Sequence, residues 1–127
     1  MSKPIDDQIV PIVKLALNSE AFRDEVITGK ECQVVLMTIQ PGEEIGSEVH
    51  EDHDQILVFV EGNGQAVLSG QAREVGTNDL VFVHAGVEHN FINTGVKPLK
   101  LYTIYAPPEH PAGTRHEDKA EADAAEH

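Results

Sequence analysis

From Pro41 onward the apolar residues come in bursts of strand length, QILVFV, QAVLS, DLVFV, HNFIN and LKLYTIY, each bounded by Gly, Pro, Asn or Asp. That rhythm predicts an antiparallel β sandwich or barrel, with turns at Gly62-Asn63-Gly64, Ser69-Gly70, Gly76-Thr77-Asn78-Asp79 and Thr94-Gly95. An earlier run, Cys32 to Ile39 (CQVVLMTI), is β-branched and continuously apolar. It reads as a strand buried on both faces or a strand at a dimer edge, with Cys32 as inert core.

The two ends differ from this pattern. Between Ile9 and Phe22, the residues Ile9, Val13 and Leu17 fit a helical stripe and Asn18-Ser19-Glu20 reads as a turn or cap, so a short helix is expected. Residues 113–127, GTRHEDKAEADAAEH, are polar, acidic and alanine-rich with no apolar face, which predicts a frayed or weakly helical tail. The chain of 127 residues is long enough for one core, so a single domain over 1–112 followed by a tail over 113–127 is expected.

Charge and cysteine content narrow the partners. Twenty-two acidic residues against nine basic ones give a formal charge of −13 with no Lys/Arg-rich block, which argues against nucleic acid and anionic membranes. A lone cysteine allows no intrachain disulfide, and the N-terminus MSKPIDDQIV lacks a basic segment followed by an apolar one. No apolar run approaches the ~20 residues of a membrane span, so a cytoplasmic protein is expected.

The stretch PGEEIGSEVHEDHDQILVFVEGNG, residues 41–64, concentrates ligand-type side chains. Glu48 and His50 are two apart, so in an extended segment they point to one face. Gln55 opens the next strand, where a hairpin would set its amide opposite them, and His89 lies downstream in GVEHNFIN as another strand is entered. His53 is three from His50 and would face the other way in a strand; it remains an alternative ligand if the segment is a loop. Glu51, Asp52 and Asp54 read as water-facing acids beside the site.

The spacing Gly42-x5-Glu48-x-His50-x4-Gln55-x6-Gly62 resembles the first motif of the cupins, G-x5-H-x-H-x3,4-E-x6-G. Asn78-x5-His84-x-Gly86-x2-His89-x3-Asn93 resembles their second, G-x5-P-x-G-x2-H-x3-N. Together the motifs cover residues 41–93, about two fifths of the chain, in the manner of small single-domain, mannose-6-phosphate-isomerase-like cupins. Four positions depart from the pattern: Glu48 replaces the first histidine, Gln55 the glutamate, Asn78 a glycine and His84 the proline.

This resemblance implies an all-β fold, an antiparallel double-stranded β-helix or jelly-roll barrel, with metal ligands Glu48, His50, Gln55 and His89 carried over position by position. It also implies a homodimer that shares N-terminal or edge strands. Two imidazoles and a carboxylate suit a divalent first-row ion, iron, manganese, nickel or zinc. A neutral Gln carbonyl is a weaker fourth ligand or a hydrogen-bonding neighbour of the others. The function expected is a metal-dependent enzyme on a small oxygen-bearing metabolite, either a Lewis acid of isomerase or lyase type or an oxygenase. The alternative is a non-catalytic module that binds a sugar or a metal.

Other residues complete the expected pocket. Phe59 and Phe91 share strand faces with Gln55 and His89, so they pack the core or line the pocket. Tyr105, Glu109 and His110 surround a rigid Pro107-Pro108 pair that ends the last strand or folds back over the barrel mouth. His53, Glu109 and His110 are candidate general bases, and His84 reads as a solvent-facing turn residue.

Overall fold

The computed structural model describes residues 9–125, eleven elements arranged as two antiparallel sheets. A short helix α1 (Ile12–Asn18) precedes β1 (Arg23–Thr28) and β2 (Gln33–Ile39). Then follow β3 (Asp54–Glu61), β4 (Asn63–Leu68), β5 (Gln71–Gly76), β6 (Leu80–Val83), β7 (His89–Ile92) and β8 (Leu99–Ala106), with β9 (Arg115–His116) and α2 (Lys119–Ala125) closing the chain. One sheet has the order β6-β3-β8-β2-β1-β9 and the other β5-β4-β7. The all-β reading holds, and each apolar burst after Pro41 lies on a strand.

The alternation of side chains explains where the core sits. Along β3, Gln55, Leu57 and Phe59 face inward and are buried, while Ile56 and Val58 on the other face are half-buried. Phe59 from the large sheet meets Phe91 from the small one with ring centroids 5.9 Å apart, so the two sheets close on a shared apolar interior. Tight turns hold the register: Ser69 and Gly70 both have positive φ, as a two-residue hairpin between β4 and β5 requires.

Four expectations are corrected. α1 buries Ala16 and packs Ile12 and Leu15 on the outer face of the large sheet, whereas Val13 and Leu17 lie on its exposed side and Ile9 precedes the helix, exposed. The sheet takes the i, i+3, i+4 set because small Ala16 lets the helix approach closely. β2 is paired on both sides, by β8 and β1, so it is an interior strand and not a dimer edge. Cys32 lies one residue before β2 and is exposed rather than core.

The fourth correction concerns the polar C-terminal segment, which is held rather than frayed, while its helical alternative is realised in α2. β9 pairs with β1, and Ala122 on α2 is buried in the core cluster. Its anchor is electrostatic: Arg23, Asp24 and Glu25 on β1 are all buried, and groups from 113–116 meet them. Arg115 Nη1 donates to Asp24 Oδ2 at 2.9 Å, the Gly113 amide donates to Glu25 Oε1 at 2.9 Å, and Arg23 Nη1 lies 3.0 Å from His116 Nδ1. Ionised groups taken out of water need such partners, so the segment is ordered by the charges it satisfies, without an apolar stripe.

Candidate metal centre

Glu48 and His89 are brought together by the backbone. Each donates its amide to the other's carbonyl at 2.9 Å, an antiparallel pair in which directly opposed side chains project to the same side. His50, two residues beyond Glu48, shares that side, and its carbonyl is held by the Gly86 amide at 2.9 Å. One ligand atom from each of Glu48, His50 and His89 lies within 4.8 Å of the other two. Glu48 Oε1 and His50 Nε2 are 3.4 Å apart, close to the ~3.4 Å separating two ligands at ~2.1 Å from a tetrahedral ion.

The protonation states fit a cation. His89 Nδ1 lies 2.9 Å from the Val87 carbonyl, which can only accept, so Nδ1 is the donor and Nε2 is the ring nitrogen left to meet a metal. That Nε2 is buried with no hydrogen-bond partner among the described residues. Burial pushes the Glu48 carboxyl up, but its hydrogen bond to His50 and the nearby His50, Arg23 and His89 outweigh this and hold it below the ordinary carboxylate value. The centre therefore offers a carboxylate and a bare imidazole nitrogen in one place.

The cupin domain model (Cupin_2) matches residues 35–105, more than half of the chain. The chain is a cupin. A relative in Bacillus subtilis, the uncharacterized protein YrkC, is 46% identical over 125 residues, spanning 93% of this chain and 67% of that protein. The crystal structure of BH2720 from Bacillus halodurans superposes with a TM-score of 0.93 at 41% identity, covering 98% of this chain and 99% of that one. A predicted oxalate decarboxylase from Thermotoga maritima shares the fold at a TM-score of 0.59 and 24% identity, over 62% of this chain and 69% of that one.

The departures from the cupin motifs acquire physical meaning in the fold. Asn78, in place of a glycine, has φ +76°, a left-handed conformation that asparagine tolerates better than most residues. Asn93 is structural: its side-chain amide donates to the Ile39 and Lys97 carbonyls and its oxygen accepts from the Gly95 amide. His84 is exposed, as expected for a turn residue, with its ring 4.6 Å from that of Phe82. Gln55 is 3% exposed on the inner face of β3. Thr103 Oγ1 donates to the Ile56 carbonyl and so must accept from Gln55 Nε2, which leaves Gln55 Oε1 buried and without a hydrogen-bond partner among the described residues.

The segment after β8 folds back toward the histidines. Glu109 lies 3.2 Å from His53 Nε2 and 3.8 Å from His50 Nδ1, and His53 Nε2 is 3.1 Å from the Pro108 carbonyl. His53 is thus engaged by this strap and stands outside the Glu48, His50, His89 group. The ring of Tyr105 is 6.1 Å from that of His50 and 5.3 Å from that of His110. Phe59 and Phe91 are both fully buried in the core, with Phe91 6.1 Å from the His89 ring, so they form the floor beneath the histidines. Glu51, Asp52 and Asp54 are exposed, as the acidic turn reading expects.

Two residues near the centre escape a motif-based reading. Gln33, 1% exposed, accepts from the Glu109 and His110 amides and donates to the His110 carbonyl, which clamps the strap to β2. Arg23 is 3% exposed, and its register partner Met37 belongs to the interior cluster, so its side chain enters the barrel. The signal for a strand was present in RDEVIT, but three consecutive charged residues mimic a surface turn. His110 is shifted down from 6.5 to about 4, first by burial and then by Arg23, with Glu48 opposing, so it is neutral at pH 7.

Proposed function

We propose that this cupin is a metal-dependent enzyme acting on a small oxygen-bearing metabolite, with Glu48, His50 and His89 holding a divalent first-row ion and Gln55 Oε1 completing or tuning its surroundings. The observation that carries this reading is the buried lone pair of His89 Nε2, fixed by the Nδ1 contact to Val87 and aimed where Glu48 and His50 also converge. A bound ion would supply Lewis-acid polarisation of a carbonyl oxygen or, as iron, dioxygen chemistry. Glu48 lends the site one negative charge and Gln55 lends none, which favours an electron-rich oxygen ligand.

The chain's own groups would do the rest. Phe59 and Phe91 close the floor, and the strap from Pro107 to His110 restricts water at the mouth. Of the candidate bases, His53 and Glu109 are engaged with each other, which leaves neutral His110 to move a proton. Metal analysis of protein purified from metal-supplemented medium tests the reading. Near-stoichiometric metal in the native chain, lost in Glu48→Ala and His89→Ala, is the expected result; equal metal in the variants, or none in the native chain, overturns it. Metal uptake with no turnover across small carbonyl and hydroxy compounds would instead favour a binding module.

The reading includes a cytoplasmic homodimer. Its contact is assigned to the outer face of the large sheet, where Ile56, Val58 and Ile104 are half-buried and Leu80 and Phe82 are exposed. A Leu80→Lys, Phe82→Lys double variant is expected to run as a monomer by light scattering.

A further inference from the structure

We propose that Glu109, carried on the strap after β8, is a positioning residue for the metal centre: its carboxylate holds Nδ1 of His50 and so aims Nε2 at the ion. The inference rests on the metal reading and adds a consequence, that metal occupancy and closure of the strap favour each other.

The two ring nitrogens of His50 face different carboxylates. Nε2 lies 3.4 Å from Glu48 Oε1, inside the group of Glu48, His50 and His89, so this is the nitrogen that would meet an ion shared with Glu48. Nδ1 lies 3.8 Å from Glu109 Oε2, a separation that a small rotation of the carboxylate or one bridging water spans. The other oxygen, Oε1, is 3.2 Å from His53 Nε2, and Gln33 Oε1 accepts from the amides of Glu109 and His110 at 3.2 and 3.0 Å. Glu109 is therefore held through its side chain and through its backbone at once. The side chains of His50, His53 and Glu109 are between 13% and 26% exposed, so these contacts are less screened than a surface ion pair.

His89 shows what such a contact does. Its Nδ1 is held by the carbonyl of Val87, two residues before it, and its Nε2 is left for the ion. His50 receives the equivalent hold from a different part of the chain. A carboxylate at Nδ1 keeps the donor proton there, fixes the plane of the ring and makes Nε2 a stronger ligand. The hold on His89 is built into its own segment, whereas the hold on His50 is present only while the strap is in place. Linkage then works both ways: whatever Glu109 adds to metal affinity, the metal adds to the stability of the closed strap.

Co(II) titration followed by visible absorption tests this with Glu109→Gln, which keeps the volume and removes the charge. Affinity should fall at least about tenfold, the usual size of the loss when such an outer contact is removed. Long-range proton–nitrogen correlation spectra of the Zn(II)-loaded protein supply a readout that a merely structural role would leave unmoved. The Nδ1 signal of His50 should shift in the variant, and that of His89, held by Val87, should stay. In native protein Zn(II) should also slow hydrogen exchange at the amides of Glu109 and His110, and this measurement decides by itself if the variant does not fold. Equal Co(II) affinity in the variant, an unmoved His50 signal, or exchange at the two amides that Zn(II) leaves unchanged overturns the inference while the metal reading stands. Native protein that takes up no Co(II) overturns the metal reading, and this inference with it.

Discussion

The barrel is finished at two places by opposite means. Where β7 meets the segment around Glu48, a backbone pair sets side chains whose lone pairs are left available, His89 Nε2 among them. Where β1 meets β9, charged side chains are taken out of water and satisfied within the chain, Asp24 by Arg115 and Glu25 by Gly113 and Thr28. The first region keeps coordinating capacity in reserve at a cost in stability; the second spends its polar groups on holding the chain together. Substitutions at the two should therefore separate into effects on ligands and effects on folding.

The sharpest test removes the second region outright. Deleting residues 113–127 withdraws Arg115 from Asp24 and the Gly113 amide from Glu25, and losing one side of a buried charged pair costs roughly 3–5 kcal/mol. Urea denaturation should show a large fall in midpoint, whereas His89→Ala should lose metal with its metal-free midpoint unchanged or raised. A truncated chain as stable as the full one would mean that 1–112 stands as a domain by itself and that the pairing of β9 with β1 contributes nothing.

The contrast also explains what the sequence revealed. His50 and His89 were legible because their spacing is tied to strand alternation and to a motif that survives four departures. The apolar bursts were legible because alternate residues on β3, β7 and β8 must face one interior. β1 was not, since three consecutive charged residues, Arg23, Asp24 and Glu25, break any apolar pattern and their partners lie some ninety residues away. β5 hid for another reason: as an edge strand that pairs, among the described residues, with β4, it buries little beyond Val75 and so lacks an apolar face. Long-range polar pairing leaves no periodic trace, and apolar burial does.

Gln33 links the two regions, because it belongs to the strand beside β1 yet holds the strap over the histidines. Gln33→Leu keeps the volume and leaves the Glu109 and His110 amides without their acceptor, an expected loss of about 2 kcal/mol. Hydrogen exchange should report the loss at those two amides first. Uniform change along the chain would show that the strap is held by something else.

A smaller effect is expected from His110, whose protonation Arg23 opposes and Glu48 favours. Its folded value near 4 is below the unfolded 6.5, so on acidification the unfolded chain takes the proton first. Stability should fall progressively from about pH 6.5 to about pH 4, and above that window His110 contributes no pH dependence. His110→Gln should flatten the decline in urea midpoint over that window. The depressed Glu48 value adds its own loss at more acid pH, as its carboxylate is protonated, and that part should persist in the variant.

The least effect of all is expected at Cys32, and it bears on where the boundary between exposed turn and buried strand falls. The continuous apolar run CQVVLMTI suggests that burial begins at the cysteine, but the chain crosses from solvent to interior between Cys32 and Gln33, which is 1% exposed. Cys32→Ser should therefore change stability by no more than about 0.5 kcal/mol, as for surface positions in general. The folded protein should also react with iodoacetamide at close to the rate of the urea-unfolded chain. Protection of the thiol in native conditions would show that a second surface covers the turn before β2. In that case the first region to be covered would be the end of the barrel where Gln33 holds the strap, and the exposure of the site would have to be reckoned with that cover in place.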